Sequence, residues 1–324
     1  MWILNSPKLE LSFIYIPGLL GIILAVLFPD LGNSSILYAL LATSLIDSGH
    51  VYTTFWRTYL HKRELISSKR YVLFPVLSFL FFFIWNNSGL PGLWKFVIYS
   101  TLFHHVRQVY GLSKWYQSLN KRSDKISDLF LYTLTIVPFI TYHFRPAAIV
   151  QNNTMYELFL FPNILIVRIL TISFLGFLLA WIFYEIKLWK NGVKEINRLI
   201  SVAYPTFIFS YCFFIGETLT QVLFPLLFIH GVSYMGIMGI ALQRTQKVKF
   251  SSFSKTIFVI VFTASTFGIC ETWIEQNLIE IPNTSFLNSL LIGIYLTPLF
   301  CHYYFDSVIW KKDHREFREI LTAS

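Results

Sequence analysis

Long apolar runs separated by short polar segments dominate the chain, and this pattern predicts helices rather than strands. A helix needs about 20 mostly apolar residues to cross the roughly 30 Å hydrocarbon core of a bilayer, because it rises about 1.5 Å per residue. Ten runs meet this requirement. They cover residues 11–29, 35–57, 70–86, 92–114, 126–143, 163–187, 197–216, 219–243, 255–273 and 286–310.

The basic residues alternate between the two sides of the predicted bundle. Of the 26 lysines and arginines, 23 lie at the N-terminus or around the C-terminal ends of even-numbered helices, and the exceptions are Lys95, Arg145 and Arg168. Cytoplasmic segments of membrane proteins carry such an excess of positive charge. We therefore expect both termini to be cytoplasmic, with residues 311–324 forming a short basic tail.

Composition supports the same fold class. The chain has 324 residues, of which 55% are hydrophobic and 13% are charged, whereas soluble domains carry about 25% charged residues. This excludes a disordered chain, a disulfide scaffold and a water-soluble enzyme. The net charge of +9 comes from short clusters that set membrane orientation, so we expect no nucleic-acid partner. The sequence predicts an all-α, polytopic integral membrane helix bundle of about ten transmembrane helices. Residues 1–324 would form one multi-pass domain in the bacterial inner membrane or an equivalent cellular membrane.

Histidines and other polar residues interrupt the even-numbered runs. Such side chains are costly inside a spanning helix and usually mark function. The second predicted helix carries a polar stripe with spacings of 3, 4, 3 and 4 residues, which places its members on one helix face. The members are Asp47, His50, Thr54, Arg57 and His61.

Three later helices carry similar groups at a similar depth. Each helix has a histidine between nine and fourteen residues before a basic residue that follows it toward the cytoplasmic side. In the second helix the corresponding distance is seven residues. The groups are His104, His105 and Gln108 in the fourth helix, His230 and Tyr234 in the eighth, and His302 and Asp306 in the tenth. The matched depth predicts a shared site nearer the cytoplasmic face.

Neutral imidazole is the commonest biological metal ligand, and carboxylates complete hard or borderline sites. We therefore predict a site for one or two metal ions, with iron expected and zinc or copper as alternatives. Adjacent histidines point about 100° apart, so one of the fourth helix's pair would ligate while the other supports it. At any single position, a histidine that merely joins two helices is the alternative. His143 and His314 are expected to face solvent. The candidate metal ligands are Asp47, His50, His104, His105, His230, His302 and Asp306, and the candidate catalytic or substrate-positioning residues are Tyr234, Gln108 and Arg107.

The histidine pattern resembles that of the bacterial integral-membrane β-carotene-cleaving dioxygenases, which hold a non-haem iron between histidines of several helices. Asp47 with His50 resembles the first ligand site of that family, His104 or His105 resembles the second, and His230 resembles the third. The segment TPLFCHYYFD around His302 is similar to the family's last ligand segment. Tyr234 stands where the family carries a second histidine. The resemblance implies an iron-dependent oxygenase of an isoprenoid.

The leading functional hypothesis is a membrane-embedded, metal-dependent oxidoreductase or oxygenase that acts on a lipid or isoprenoid entering from the bilayer. Its electron donor is unknown. One alternative is a metal-independent acyltransferase that uses a buried histidine such as His230 as its base. Another is a proton-coupled transporter that uses Asp47, His50, His302 and Asp306 as a titratable path. A protein that binds haem through two histidines is a further alternative.

Overall fold

The computed structural model describes residues 2–4, 6–29, 39–59, 69–146, 158–245, 253–278 and 285–310. Across these ranges the chain forms ten helices and no strand, so the all-α prediction is confirmed. The basic tail predicted for residues 311–324 lies outside them. The helices are α1 (Pro7–Leu27), α2 (Ala39–Ser48 continued by Gly49–Thr58), α3 (Arg70–Asn87), α4 (Leu93–Leu119), α5 (Lys125–Tyr142), α6 (Ile164–Lys190), α7 (Ile196–Ile215), α8 (Leu219–Leu227, Phe228–Val232 and Ser233–Thr245 in succession), α9 (Phe253–Leu278) and α10 (Phe286–Ile309).

Seven of the described helices are long and apolar enough to cross a membrane, namely α1, α3, α6, α7, α8, α9 and α10. The other three helices do not meet this requirement. Each contains polar residues, such as His50 in α2, His104 in α4 and Asp128 in α5. Large apolar side chains point outward on several helices, while several histidines are buried. This inverted distribution is typical of a chain whose surroundings are lipid rather than water.

Among the residues that the structure describes, four segments wind as π-helix rather than α-helix, and they are Leu11–Tyr15, Ala39–Ser48, Tyr211–Ile215 and Phe228–Val232. Such wide turns are frequent at functional sites because they re-aim the side chains around them. One of these turns contains His230, and another ends just before His50.

The chain divides into two compact units. The first contains Met1–Asn33 and Trp94–His230, and the second contains Ser34–Leu93 and Gly231–Ser324. In the first unit, α1 packs on the N-terminal part of α8, and α5 packs on α6 and α7. A Cβ atom on Gly21 would lie 2.8 Å from the Cα atom of Pro225, so the close contact between α1 and α8 requires glycine.

In the second unit, α3 packs on α10, and α2 packs on α9, α10 and the C-terminal part of α8. A Cβ atom on Gly268 would lie 2.0 Å from the main-chain oxygen of Ser44, so α9 approaches α2 closely at this glycine. The hydroxyls of Ser44 and Thr272 are hydrogen-bonded at 2.6 Å across the same pair of helices. These contacts place α2 firmly among the other helices of its unit.

A buried ion pair joins α6 to α7 in the first unit. Arg198 is 1% exposed and donates to both carboxylate oxygens of Glu185, and one of these bonds measures 2.7 Å. Asp124, the N-cap of α5, lies 3.8 Å from the same guanidinium. Burial opposes the ionisation of Asp124, but hydrogen bonds from Ser127 and Tyr184 outweigh burial and lower its pKa. These contacts link α5, α6 and α7.

Candidate metal centre

In the second unit, His50 of α2 and His302 of α10 lie against each other. Their ring centroids are 4.9 Å apart, the ring planes are inclined by 80°, and each residue is 1% exposed. A Cβ atom on Gly231 would lie 3.3 Å from Nδ1 of His50 and 2.7 Å from the main-chain oxygen of Ile46. Gly231 therefore lets α8 approach α2 at this histidine.

Four side chains of α2, α8 and α10 form a hydrogen-bonded circuit around His302. Its Nδ1 atom lies 2.7 Å from Oγ1 of Thr54, which is in turn 2.8 Å from the hydroxyl of Tyr234. Tyr234 donates to Oδ1 of Asp306 at 2.7 Å, and Oδ2 of Asp306 lies 3.7 Å from Nδ1 of His302. Trp310 also donates to Oδ1 of Asp306 at 3.3 Å.

The proton positions in this circuit follow from the acceptor at its end. With Asp306 ionised, its carboxylate only accepts, so the single hydrogen of Tyr234 is used on Asp306. The oxygen of Tyr234 must then accept from Thr54, and the oxygen of Thr54 must accept from His302. A neutral His302 therefore carries its proton on Nδ1, which makes Nε2 a lone-pair acceptor.

His50 reaches the same tautomer by a simpler route. Its Nδ1 atom lies 2.8 Å from the main-chain oxygen of Ile46 one turn earlier, and a carbonyl oxygen can only accept. The proton of neutral His50 is therefore on Nδ1. Both histidines of the second unit thus carry a lone pair on Nε2, the form in which imidazole binds a metal.

In the first unit, α4 and α8 bring three histidines together. The ring of His230 stacks on His105 with centroids 4.1 Å apart and meets His104 edge to face at 4.9 Å. Gln108 donates to the main-chain oxygen of His230 at 3.0 Å, and its own Oε1 lies 2.5 Å from Nδ1 of His230. Because an amide oxygen only accepts, the Nδ1 atom of His230 donates and Nε2 again carries the lone pair.

A sixth buried histidine among the described residues provides a comparison. His143, expected from the sequence to face solvent, is only 9% exposed, so that expectation is wrong. Its Nδ1 atom is bonded to the main-chain oxygen of Phe139 at 2.8 Å, and its Nε2 atom lies 2.7 Å from the hydroxyl of Tyr99. The Nε2 lone pair of His143 is therefore used by a protein donor.

The other predicted site residues occupy different surroundings. Asp47 is half-buried in α2, one turn before His50. Arg107 is exposed on α4, where it donates to the hydroxyl of Tyr132 and lies over the ring of Tyr110. His61, His314 and the side chain of Arg57 lie outside the described residues.

Two residues that contact the site have no role in the predictions made from the sequence. Thr54 appeared only as a member of a polar stripe, although its hydroxyl connects His302 to Tyr234. Trp310, at the end of α10, holds Asp306. The one available signal was spacing, since Thr54 follows His50 by four residues and Trp310 follows Asp306 by four.

Comparison with known proteins gives no relative, because no family model, curated protein or solved structure matches the chain. The functional assignment therefore depends on the geometry of the chain itself.

Proposed function

We propose that the protein is a multi-pass integral membrane enzyme that uses a metal ion, most simply non-haem iron, to oxidise a lipid or isoprenoid. The observation that carries the proposal is the shared tautomer of His50, His230 and His302. Each donates from Nδ1 to a fixed protein acceptor and so carries a lone pair on Nε2. Metal-binding histidines typically have their second nitrogen held in this way.

The ligand chemistry favours iron, zinc or copper over magnesium or calcium, which prefer oxygen ligands. In the second unit, the metal would bind Nε2 of His50 and His302. Asp306 approaches His302 from the Nδ1 side, which fits a residue that orients the imidazole. In the first unit, His230 would ligate, with His104 and His105 as further candidates and Gln108 as the orienting residue.

The seven apolar helices support a membrane setting, and we propose that α2, α4 and α5 cross the membrane with them. The distribution of lysines and arginines favours cytoplasmic termini. With iron bound, the site would gain one-electron redox chemistry. The protein itself would fix the imidazole tautomers and exclude water. Tyr234 would hold Asp306.

Elemental analysis of detergent-purified protein tests the proposal. Wild-type protein should contain close to stoichiometric iron, zinc or copper, and His50→Ala and His302→Ala should each lose most of it. His143→Ala is the matched control, since its Nε2 atom already accepts from Tyr99, and it should retain the metal. Wild-type protein without metal after reconstitution with each ion, or equal metal content in all four proteins, would contradict the proposal.

The circuit around His302 also favours a second candidate, a proton-coupled transporter. A continuous chain of hydrogen bonds runs from His302 through Thr54 and Tyr234 to Asp306, and such chains can carry protons. A transporter would give pH-dependent solute flux in proteoliposomes without bound metal. The elemental analysis therefore separates the two functions.

A further inference from the structure

In the described part of the chain, exposed Arg107 of α4 contacts no carboxylate, whereas two other cations do. Arg198 is paired with Glu185, and Lys114 with Asp128 at 2.8 Å. The described contacts of Arg107 are with the hydroxyl of Tyr132 at 2.5 Å and with the ring of Tyr110 at 4.8 Å. Both partners are tyrosine side chains, and neither is a carboxylate.

Arg107 lies over the ring of Tyr110, and that ring stacks on Tyr132. Tyr110 of α4 and Tyr132 of α5 stack with centroids 4.9 Å apart and an interplanar angle of 29°. Lys114 approaches the ring of Tyr110 at 6.0 Å, so one ring contacts two cations. We call Arg107, Tyr110, Lys114 and Tyr132 the Arg107 platform.

The charge of the platform matches a single anion. Arg107 and Lys114 contribute two positive charges, and Asp128 neutralises one of them. The remaining charge of about +1 complements the charge of −1 on a phosphodiester. A planar guanidinium is suited to binding phosphate oxygens through two parallel hydrogen bonds.

The surroundings of the platform favour a lipid over a soluble anion. The contacts of Arg107 with Tyr132 and of Lys114 with Asp128 fix an antiparallel register between α4 and α5. One turn from Arg107, Phe103 is 66% exposed, and one turn from Tyr132, Ile136 is 38% exposed. An apolar surface therefore continues along both helices from the charged end, as needed to contact acyl chains.

We propose that the Arg107 platform binds the phosphodiester headgroup of an anionic phospholipid, with the acyl chains running along Phe103 and Ile136. This inference requires the chain to span a membrane, but it does not require a metal centre. It can be tested on metal-free protein, so its failure is distinguishable from failure of the proposed function.

Native mass spectrometry of the full chain with added lipid tests the proposal. Phosphatidylglycerol should bind more tightly than zwitterionic phosphatidylcholine, and Arg107→Gln should weaken phosphatidylglycerol binding about tenfold. That loss is expected from one hydrogen bond between charged groups. Arg168→Gln is the matched control, because Arg168 is an exposed arginine on α6, and it should bind like the wild type.

Further measurements make the test decisive. Circular dichroism and gel filtration of Arg107→Gln should match the wild type, and Arg107→Lys should recover only part of the binding if the planar group matters. Inorganic phosphate at millimolar concentration should not displace the lipid. Equal binding of the two lipids, unchanged binding by Arg107→Gln, or displacement by inorganic phosphate would each overturn the proposal.

Discussion

Replacing Thr54 by valine removes one hydroxyl and leaves a side chain of nearly the same shape. That hydroxyl accepts from Nδ1 of His302 and donates to Tyr234, and all three residues are at most 2% exposed. The substitution therefore breaks the circuit at its centre without opening a large cavity.

The expected loss follows from these two hydrogen bonds. A buried donor left without its acceptor costs about 1–3 kcal/mol, and this applies to Nδ1–H of His302. Tyr234 loses the hydrogen bond that its oxygen accepts but keeps its bond to Asp306. The loss at Tyr234 therefore costs about 1 kcal/mol. Thr54→Val should thus lower the free energy of unfolding by about 2–4 kcal/mol.

Thr54→Ser is the matched control, because it keeps the hydroxyl and removes only a methyl group, which costs about 1 kcal/mol. Reversible unfolding in mixed detergent micelles would compare these variants with the wild type. A double-mutant cycle with Tyr234→Phe should give a coupling energy of about 0.5 kcal/mol or more. If Thr54→Val unfolds no more easily than Thr54→Ser, the circuit does not exist as described.

Three other variants test neighbouring parts of the account. Gln108→Leu removes the acceptor for Nδ1 of His230. It should weaken metal binding about 10–100-fold in a chelator competition titration. Unchanged affinity would show that Gln108 does not orient this histidine. Arg198→Met leaves buried Glu185 without its partner and should lower the free energy of unfolding by about 3–5 kcal/mol in the same assay. The double variant Arg198→Met/Glu185→Leu should recover most of that free energy. Because the pKa of Asp124 is lowered in the folded protein, its ionised form stabilises the fold above its unfolded pKa of about 3.9. This contribution is lost as the pH falls through the folded pKa. Melting temperatures of the wild type should therefore fall with acidification more steeply than those of Asp124→Asn.

The positions of the helices could be predicted because long apolar runs leave few alternatives, but their ends could not. The prediction for α4 stops at residue 114, whereas the helix continues to Leu119, and α9 continues to Leu278 rather than residue 273. Helix ends predicted from bilayer thickness coincide with the edge of the hydrocarbon core. The backbone can remain helical beyond that point, since polar side chains there do not disfavour a helix.

Side-chain partners were harder to predict than helix positions. The matched depth of the histidines predicted one site shared by four helices, which stays a prediction. The structure brings His50 against His302 in one unit and His104 against His230 in the other. The burial of His143 was not predictable, because its partner Tyr99 lies 44 residues away in the chain. The π-helical turns could not be predicted either, because their sequences show no periodicity that distinguishes them from α-helix.

X-ray absorption at the edge of the bound metal is the most direct measurement of the central claim, that buried imidazoles hold a metal through Nε2. We expect nitrogen scatterers at about 2.0–2.2 Å with the outer-shell features of at least two imidazole rings. These features should diminish in His302→Ala and persist in His143→Ala. A spectrum with sulfur or only oxygen ligands, or one unchanged by His302→Ala, would contradict the account.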